Sequence, residues 1–145
     1  MLIRTMEERD LDAVCFLEEH AFSMPWHKQS FLEMIENPQA LYLVAESETG
    51  EICGCCGVRN IVGDGEITNV VVTDAMRNQG IGRKLLISLL TRGTKELGIE
   101  AYTLEVRAGN RVAVHLYESL GFVSAGIRKN FYEKPVEDAM IMWKR

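Results

Sequence analysis

The sequence predicts an α/β protein with a mixed β-sheet, because segments with strand and helix periodicity alternate along its 145 residues. Three apolar segments in a row, separated only by short turns, predict an antiparallel meander. A glycine-containing loop, a long helix and another strand follow the third of these segments. A strand that returns after a helix crossing runs parallel to the first, so this order predicts one parallel pair. The full order is strand, two helices, three strands, helix, strand, helix and two strands.

The first half of the chain supplies a short strand, two helices and the meander. Apolar residues at helical spacing predict a helix from Asp10 to Phe22, and Pro25 prevents its continuation. A second apolar stripe predicts a helix from His27 to Glu36. Glycine-containing turns at Thr49-Gly50 and Gly63-Asp64-Gly65 separate the next strands. The predicted strands are Leu2–Met6, Leu41–Glu46, Ile52–Ile61 and the β-branched segment Glu66–Thr73.

The second half begins with the longest predicted helix, from Gly82 to Leu97, which Gly98 ends. Its apolar face consists of Leu85, Leu86, Leu89, Leu90 and Leu97. The remaining predicted elements are a strand at Ala101–Arg107, a helix at Asn110–Leu120, strands at Phe122–Arg128 and Ala139–Lys144, and a polar loop from Lys129 to Asp138.

The composition, 47% hydrophobic and 26% charged, is that of a soluble globular protein. Its length predicts a single domain over residues 1–145. No apolar run approaches the roughly 18 residues of a membrane span, and Met1–Glu8 turns acidic too early for a signal peptide. We therefore expect a cytoplasmic protein that does not enter membranes. The net charge of −5 argues against nucleic-acid binding, which usually needs a basic face, and is compatible with a cationic amine substrate.

Three of the four cysteines, Cys53, Cys55 and Cys56, crowd into one predicted strand, and the fourth is Cys15. On a regular strand Cys53 and Cys55 share one face and Cys56 takes the other, so the three thiolates do not converge on one metal ion. No second pair stands at zinc spacing. We interpret the cysteines as small buried hydrophobic residues and expect neither a metal site nor disulfides.

The loop before the long helix has the pattern Arg-x-x-Gly-x-Gly, from Arg77 to Gly82. Backbone N–H groups at a helix start lack intrahelical partners, and with the helix dipole they favour a phosphate group. A dinucleotide fingerprint needs a third glycine where Leu85 stands, and a Walker loop needs Lys-Ser/Thr after Gly82, where Arg83 stands. A tight strand-to-helix turn without a ligand is the alternative interpretation.

Three blocks of sequence together resemble the GNAT family of N-acetyltransferases, over essentially the whole chain. The second block is highly specific, because Glu-Val-Arg, then Asn, then Leu-Tyr-x-x-x-Gly-Phe rarely occurs in this order by chance. The pattern is similar to the RimI-type branch, which acetylates the N-terminal alanine of a small-subunit ribosomal protein. The blocks are Arg77–Gly82; Leu104–Asn110 with Ala113 and Leu116–Phe122; and Ile127–Tyr132 with Glu137–Met142.

The resemblance implies the GNAT fold, which is a mixed, mostly antiparallel central sheet of about seven strands with helices on both faces. It implies acetyl-CoA as the cosubstrate, no metal, and a protein N-terminus as the acceptor, possibly that of a ribosomal protein. Pantetheine would run along the central strand as a partial added strand. The implied cofactor-binding residues are Val70, Val71 and Val72 of that strand, Arg77, Asn78, Gln79, Gly80, Ile81 and Gly82 of the loop, and Asn110.

Acyl transfer to an amine requires a base for the ammonium, stabilisation of the oxyanion and an acid for the leaving thiolate. Glu105 lies on a predicted strand between Leu104 and Val106, where apolar neighbours would raise the pKa of its carboxyl and suit it to act as the base. The alternative is a structural salt bridge with Arg107, which shares its strand face.

Tyr117 resembles the general acid of the family, and the alternative is an ordinary core tyrosine. Asn110 stands seven residues earlier on the same helix face and is also a good helix cap.

Two other functional classes stay open at this point. One is an acetyltransferase for a small-molecule amine, with the same donor site and a smaller acceptor site. The other is an acyl-CoA-binding module without catalytic activity, against which the presence of Glu105 and Tyr117 speaks.

Overall fold

The structure is a computed structural model that describes residues 1–145, and it contains every helix and strand that the sequence predicts. The strands are β1 (Leu2–Thr5), β2 (Ala40–Glu46), β3 (Ile52–Ile61), β4 (Asp64–Val72), β5 (Ala101–Arg107), β6 (Val123–Tyr132) and β7 (Glu137–Lys144). The helices are α1 (Leu11–Ala21), α2 (Lys28–Glu36), α3 (Ile81–Leu97) and α4 (Arg111–Ser119). The strands form one sheet in the order β1-β2-β3-β4-β5-β7-β6, which places β4 at its centre.

The only parallel pair in the sheet is β4 with β5, as the helix crossing predicts. Its register covers Asp64–Glu66 against Ala101–Thr103 and then stops. Farther along, β4 pairs only with β3 and β5 pairs only with β7. The two central strands therefore separate towards their carboxyl ends and leave a wedge between them, with unpaired strand edges on both sides.

Helices cover both faces of the sheet, so the predicted layer arrangement is confirmed. On one face, the leucines of α3 and the buried Tyr117 of α4 pack against β2, β3 and β5. On the other face, α1 and α2 pack through Val14, Leu17 and Phe31. The second core also contains Tyr42, Val44, Cys55 and Val71 from the sheet.

A β-bulge interrupts β4 at its centre. Cys55 stands opposite Val71 and Gly57 stands opposite Thr68, so Cys56 alone faces the two residues Asn69 and Val70. Asn69 occupies the bulge with a left-handed φ of 56°, a conformation that asparagine tolerates better than most residues. The extra residue reverses the alternation of faces, so that Ile67 enters the α3 core and Val71 enters the α1 core.

The expected placement of the cysteines is wrong for Cys53. Cys53 and Cys56 lie in the α3 core and Cys55 lies in the α1 core. The register explains the difference, because Ala45 pairs with Gly54 whereas Glu46 pairs with Ile52, which leaves Cys53 as an extra residue on β3. All four thiols are free. No three His, Cys, Asp or Glu side chains are grouped so that they could hold a metal ion.

The loop predicted from Lys129 to Asp138 is shorter in the structure, since β6 continues to Tyr132 and β7 begins at Glu137. β6 is an edge strand with almost all of its residues exposed, so it lacks the apolar alternation by which strands are recognised. Among the helices, none combines the length and the apolarity that crossing a membrane demands.

Candidate active site

The loop between β4 and α3 presents a row of unpaired backbone amides. No N–H group from Asn78 through Arg83 donates to an acceptor in the protein, and the first such bond of the helix runs from Lys84 N–H to Gly80 O, at 3.0 Å. No side chain caps this helix start. The first N–H groups of a helix have no intrahelical partner, so this open row is suited to an anionic ligand, whose oxygens would serve as the acceptors.

Backbone conformation keeps these amides accessible. Asn78 and Gly80 both have left-handed φ values, of 64° and 76°, and Gly80 is the N-cap of α3. A Cβ atom added at Gly82 would stand 3.6 Å from both Val72 Cγ2 and Leu116 Cδ2, an ordinary contact distance. The loop, the end of β4 and helix α4 thus meet around Gly82.

The remaining loop residues divide into exposed and buried ones. The side chain of Arg77 is 60% exposed and pairs with Asp74 at 3.0 Å, which leaves it free to reorient towards an anion. Ile81 is buried in the α3 core and anchors the start of the helix. The loop is therefore fixed at its helical end.

The edge of β4 that faces the wedge offers further hydrogen-bonding groups. Thr73 N–H donates to Cys53 O on β3, at 2.9 Å. Since successive N–H groups on a strand point to opposite sides, those of Val72 and Val70 point into the wedge. Val71 stands opposite Cys55 on β3, and its side chain is buried in the α1 core. Of the three valines, Val70 and Val72 therefore present the backbone groups that an extended ligand could use.

Glu105 does not have the apolar surroundings that the sequence suggests. Leu104 and Val106 point into the α3 core, but the Glu105 side chain lies on the opposite face and is 31% exposed. It accepts a hydrogen bond from Arg128 Nη1 at 2.7 Å, and not from Arg107. The carboxylate is thus partly accessible to solvent and is held by a charged partner from β6.

Tyr117 is 7% exposed and its ring packs edge-on against Phe122, with the ring centroids 5.9 Å apart. Its hydroxyl has no hydrogen-bond partner in the protein, whereas the hydroxyl of Tyr102 bonds both Leu90 O and Thr94 Oγ1. Burial raises the pKa of the Tyr117 phenol, and the neighbouring Cys56 and Tyr132 add to the shift. The phenol therefore keeps its proton through the neutral range and is available as a donor.

Tyr132 interacts electrostatically with both predicted catalytic residues, Glu105 and Tyr117. Its pKa is raised chiefly by burial and further by the charge of Glu105, and it contributes in turn to the shift of Tyr117. Its ring stacks under the guanidinium of Arg107, 4.5 Å from the ring centroid. Glu105 and Tyr117 therefore both lie within electrostatic range of Tyr132.

Asn110 caps α4, as expected, by accepting a hydrogen bond from Ala113 N–H at 3.2 Å. Its amide group remains exposed at the helix start. The cap orients α4, and through it the Tyr117 side chain.

Arg107 connects two loops, the segment after α1 and the loop between β6 and β7. It donates to Glu133 O and Ser23 Oγ at 3.0 and 3.1 Å, and to Pro135 O at 2.9 Å. Ser23 Oγ also donates to Glu133 O at 3.0 Å, which joins the segment after α1 to the β6–β7 loop. These two loops therefore form a connected rim beside Glu105.

A model of the acetyltransferase (GNAT) family matches residues 9–122 of the chain. The chain belongs to this family. It is accordingly an N-acetyltransferase, and the fold described above is the GNAT fold. GNAT acetyltransferases use acetyl-CoA, a cosubstrate whose pyrophosphate is compatible with the open amides of the β4–α3 loop.

Individual GNAT proteins resemble the chain over nearly its full length. A Bacillus subtilis protein, named provisionally as a ribosomal protein bS18-alanine N-acetyltransferase, is 40% identical over 142 residues, which is 97% of this chain and 93% of the relative. The crystal structure of the ribosomal-protein-S18-alanine N-acetyltransferase from Escherichia coli superimposes with a TM-score of 0.89 at 32% identity, covering 99% of this chain and 92% of that one. A variant of the spermidine N-acetyltransferase from Vibrio cholerae shares the GNAT fold with a TM-score of 0.83 at 20% identity, covering 99% and 94% of the chains.

Four residues around the candidate site make contacts that the sequence does not predict, namely Glu18, Asn69, Arg107 and Arg128. For two of these residues, Glu18 and Asn69, the sequence contains a pattern that could have identified them. Glu18 is a carboxylate within an otherwise apolar helical stripe, and Asn69 is a residue that accepts left-handed φ within a β-branched run. The contacts of Arg107 and Arg128 depend on the pairing of distant strands, for which the sequence gives no local pattern.

Proposed function

We propose that this protein transfers the acetyl group of acetyl-CoA to the N-terminal α-amino group of a protein, in particular an N-terminal alanine of a small-subunit ribosomal protein. The observation that carries the proposal is the wedge between β4 and β5. It has unpaired strand edges inside, the open amides of Asn78–Arg83 at one end and Glu105 on one wall.

For the donor, we assign the pyrophosphate to the amides from Asn78 to Gly82, with Arg77 as a mobile cation beside them. The pantetheine amides would bond the exposed edge of β4 at Val70 and Val72, in the manner of an added strand. Asn110, at the exposed start of α4, completes the set. Acetyl-CoA, when bound, supplies the acetyl group as a thioester, and no metal ion is required.

Glu105 is proposed to take the proton from the attacking ammonium, directly or through water. The amine nitrogen then forms the new bond to the acyl carbon, and the bond from that carbon to sulfur breaks. Tyr117 is proposed to give its hydroxyl proton to the departing sulfur. Because the pKa of the phenol is raised, this proton is held tightly, so the step needs a strong hydrogen bond to the developing thiolate and later return of the proton from solvent.

The choice of acceptor is supported by the relatives. The Bacillus subtilis and Escherichia coli proteins, at 40% and 34% identity over 97% of this chain, are named as ribosomal protein bS18-alanine N-acetyltransferases, the former provisionally. The spermidine enzyme lies at 20% identity, where only the fold is shared. We place the reaction in the cytoplasm, where ribosomal proteins are made, and treat residues 1–145 as one catalytic domain.

The test is a competition between amines. The protein is incubated with acetyl-CoA and a mixture of peptides that begin with alanine, peptides whose only free amine is a lysine side chain, and spermidine, and the products are identified by mass spectrometry. We expect acetylation of the alanine peptides, and none of the same peptides with a blocked N-terminus. Preference for spermidine would establish the small-amine alternative, and acetyl-CoA binding without any transfer would establish the binding module.

A further inference from the structure

Glu18 is the most deeply buried carboxylate in the protein, and the reaction described above does not use it. It lies on α1, one turn before the helix ends, and is 2% exposed. The elements around it are the centre of β4 and the segment that follows α1. A buried carboxyl is costly unless it is fully paired, so its presence in an apolar helix stripe needs an explanation.

A single oxygen atom of Glu18 makes both of its contacts. Oε1 accepts a hydrogen bond from Asn69 Nδ2 at 2.8 Å and another from Trp26 N–H at 3.1 Å. Asn69 is the bulge residue of β4, immediately before Val70, and Trp26 belongs to the segment between α1 and α2. One carboxyl oxygen thus ties the strand assigned to the pantetheine to the segment between α1 and α2.

The second side-chain oxygen of Glu18 and the side-chain oxygen of Asn69 lack hydrogen bonds. Glu18 Oε2 and Asn69 Oδ1 are both buried, and neither has a hydrogen-bond partner. Burial raises the pKa of Glu18, against the opposing effect of the bonds from Asn69 and Trp26. Buried acceptors without a partner are uncommon in folded proteins, so two of them on a hydrogen-bonded pair of side chains call for an explanation.

We propose that Glu18 is a positioning residue for acetyl transfer, which couples the acceptor loop Phe22–His27 to the β4 bulge through its hydrogen bonds to Trp26 and Asn69. This inference rests on the proposed function. The bulge sets the direction of the Val70 and Val72 N–H groups, and the acceptor loop forms one side of the rim beside Glu105. Loss of the link would misalign the two substrates while leaving each binding surface in place.

The test uses two independent ways of removing the link. Glu18→Leu removes the carboxyl, and Asn69→Gly removes the side chain while keeping a residue that adopts left-handed φ without strain. Each is expected to lower kcat at least about tenfold while changing acetyl-CoA affinity by less than about threefold, since the pyrophosphate loop is separate. Glu18→Gln keeps the Oε1 acceptor and should retain kcat within about threefold of wild type. The exposed neighbour Glu19, as Glu19→Leu, is the matched control and should behave as wild type.

Combining Glu18→Leu with Asn69→Gly gives the decisive measurement. If the two residues act as one link, the double variant is no slower than the slower single variant. The idea is wrong if both single variants keep kcat near wild type, or if their effects multiply. Should Glu18→Leu fail to fold, Asn69→Gly and Glu18→Gln decide alone. All rates are measured with whichever amine the wild type acetylates fastest, so a mistaken acceptor assignment shows in the wild type and a mistaken role for Glu18 shows only among the variants.

Discussion

Arg128 Nη1 lies 2.7 Å from Glu105 Oε1, so the proposed base is ion-paired with a cation from β6 in the free protein. The pair is partly exposed, and the Arg128 guanidinium also stacks on Phe131, 4.6 Å from the ring centroid. Exposed pairs of this kind are weak, about 0 to 1 kcal/mol, so a substrate ammonium can replace the guanidinium at modest cost. The Arg128 guanidinium therefore holds the Glu105 carboxylate in place until a substrate ammonium replaces it.

Glu105→Gln keeps the shape of the side chain and removes the proton acceptor. We expect turnover to fall by roughly 10²-fold, with acetyl-CoA affinity unchanged, as measured by steady-state kinetics and calorimetry. Glu96→Gln is the matched control, because Glu96 forms a comparable exposed pair with Arg92 on α3, away from the wedge. Near-normal turnover by Glu105→Gln would show that the carboxylate is structural.

Substitutions at Gly82 test whether the amides of the β4–α3 loop bind the pyrophosphate. A Cβ atom here meets its neighbours only at 3.6 Å, so Gly82→Ala should fold normally. Gly82→Asp places a negative charge among the amides assigned to the pyrophosphate, and acetyl-CoA affinity should fall at least tenfold, or about 1.4 kcal/mol. Calorimetry on both variants separates the effect of the added charge from that of added bulk. Unchanged affinity in a folded Gly82→Asp protein would mean that the pyrophosphate binds elsewhere.

Tyr117→Phe removes the proposed acid and keeps the ring packed against Phe122. Stability should change little, because the hydroxyl has no protein partner, whereas kcat should fall by roughly 10- to 10⁴-fold. Acetyl donors with more acidic thiol leaving groups should partly restore the rate. Tyr102→Phe is the contrasting variant, since it loses two structural hydrogen bonds and should lose stability with normal dependence on the leaving group. An equal defect with every donor would make Tyr117 a positioning group.

Much of the fold follows from periodicity, and the exceptions have physical causes. The predicted bounds of β3 and β5 match the structure, because both strands have apolar sequences closed by clear turn signals. The strand predicted at Phe122–Arg128 ends too early, because the residues of β6 face solvent and show no burial pattern. The bulges at Cys53 and Asn69 shift side chains between faces, which no regular alternation can predict.

At the candidate site, the sequence blocks suggest which residues to consider but do not predict the surroundings of those residues. Glu105 was expected among apolar neighbours because Leu104 and Val106 flank it, yet flanking residues on a strand point to the opposite face. Its actual partner, Arg128, is 23 positions away and comes near only through the pairing of β5, β7 and β6.

Acid should destabilise the protein through Asp10. Arg4 donates to both of its carboxylate oxygens, at 2.8 and 2.9 Å, and this pairing lowers the pKa of Asp10. A lowered folded-state pKa means that the contribution to stability is present above the unfolded value, near 3.9, and is lost as the pH falls through the folded value. Asp10→Asn should cost about 3 kcal/mol at neutral pH, and the difference from wild type should shrink below about pH 4, as thermal melts over pH would show. Glu7→Gln, at an exposed neighbour, should melt like wild type, and a constant difference at all pH values would contradict the assignment.

The short pairing between β4 and β5 also determines where the sheet opens locally. Only three residue pairs join its two halves, so the amides of Val70 and Val72, which face the wedge, should exchange their hydrogens for deuterium rapidly in the free protein. The amide of Val71, opposite Cys55, should exchange slowly and serves as an internal reference. Bound acetyl-CoA would take the place of a strand along the edge of β4. Hydrogen exchange should then slow at the amides of Val70 and Val72 and stay unchanged at that of Val71, and the gap between β4 and β5 would be bridged by the ligand.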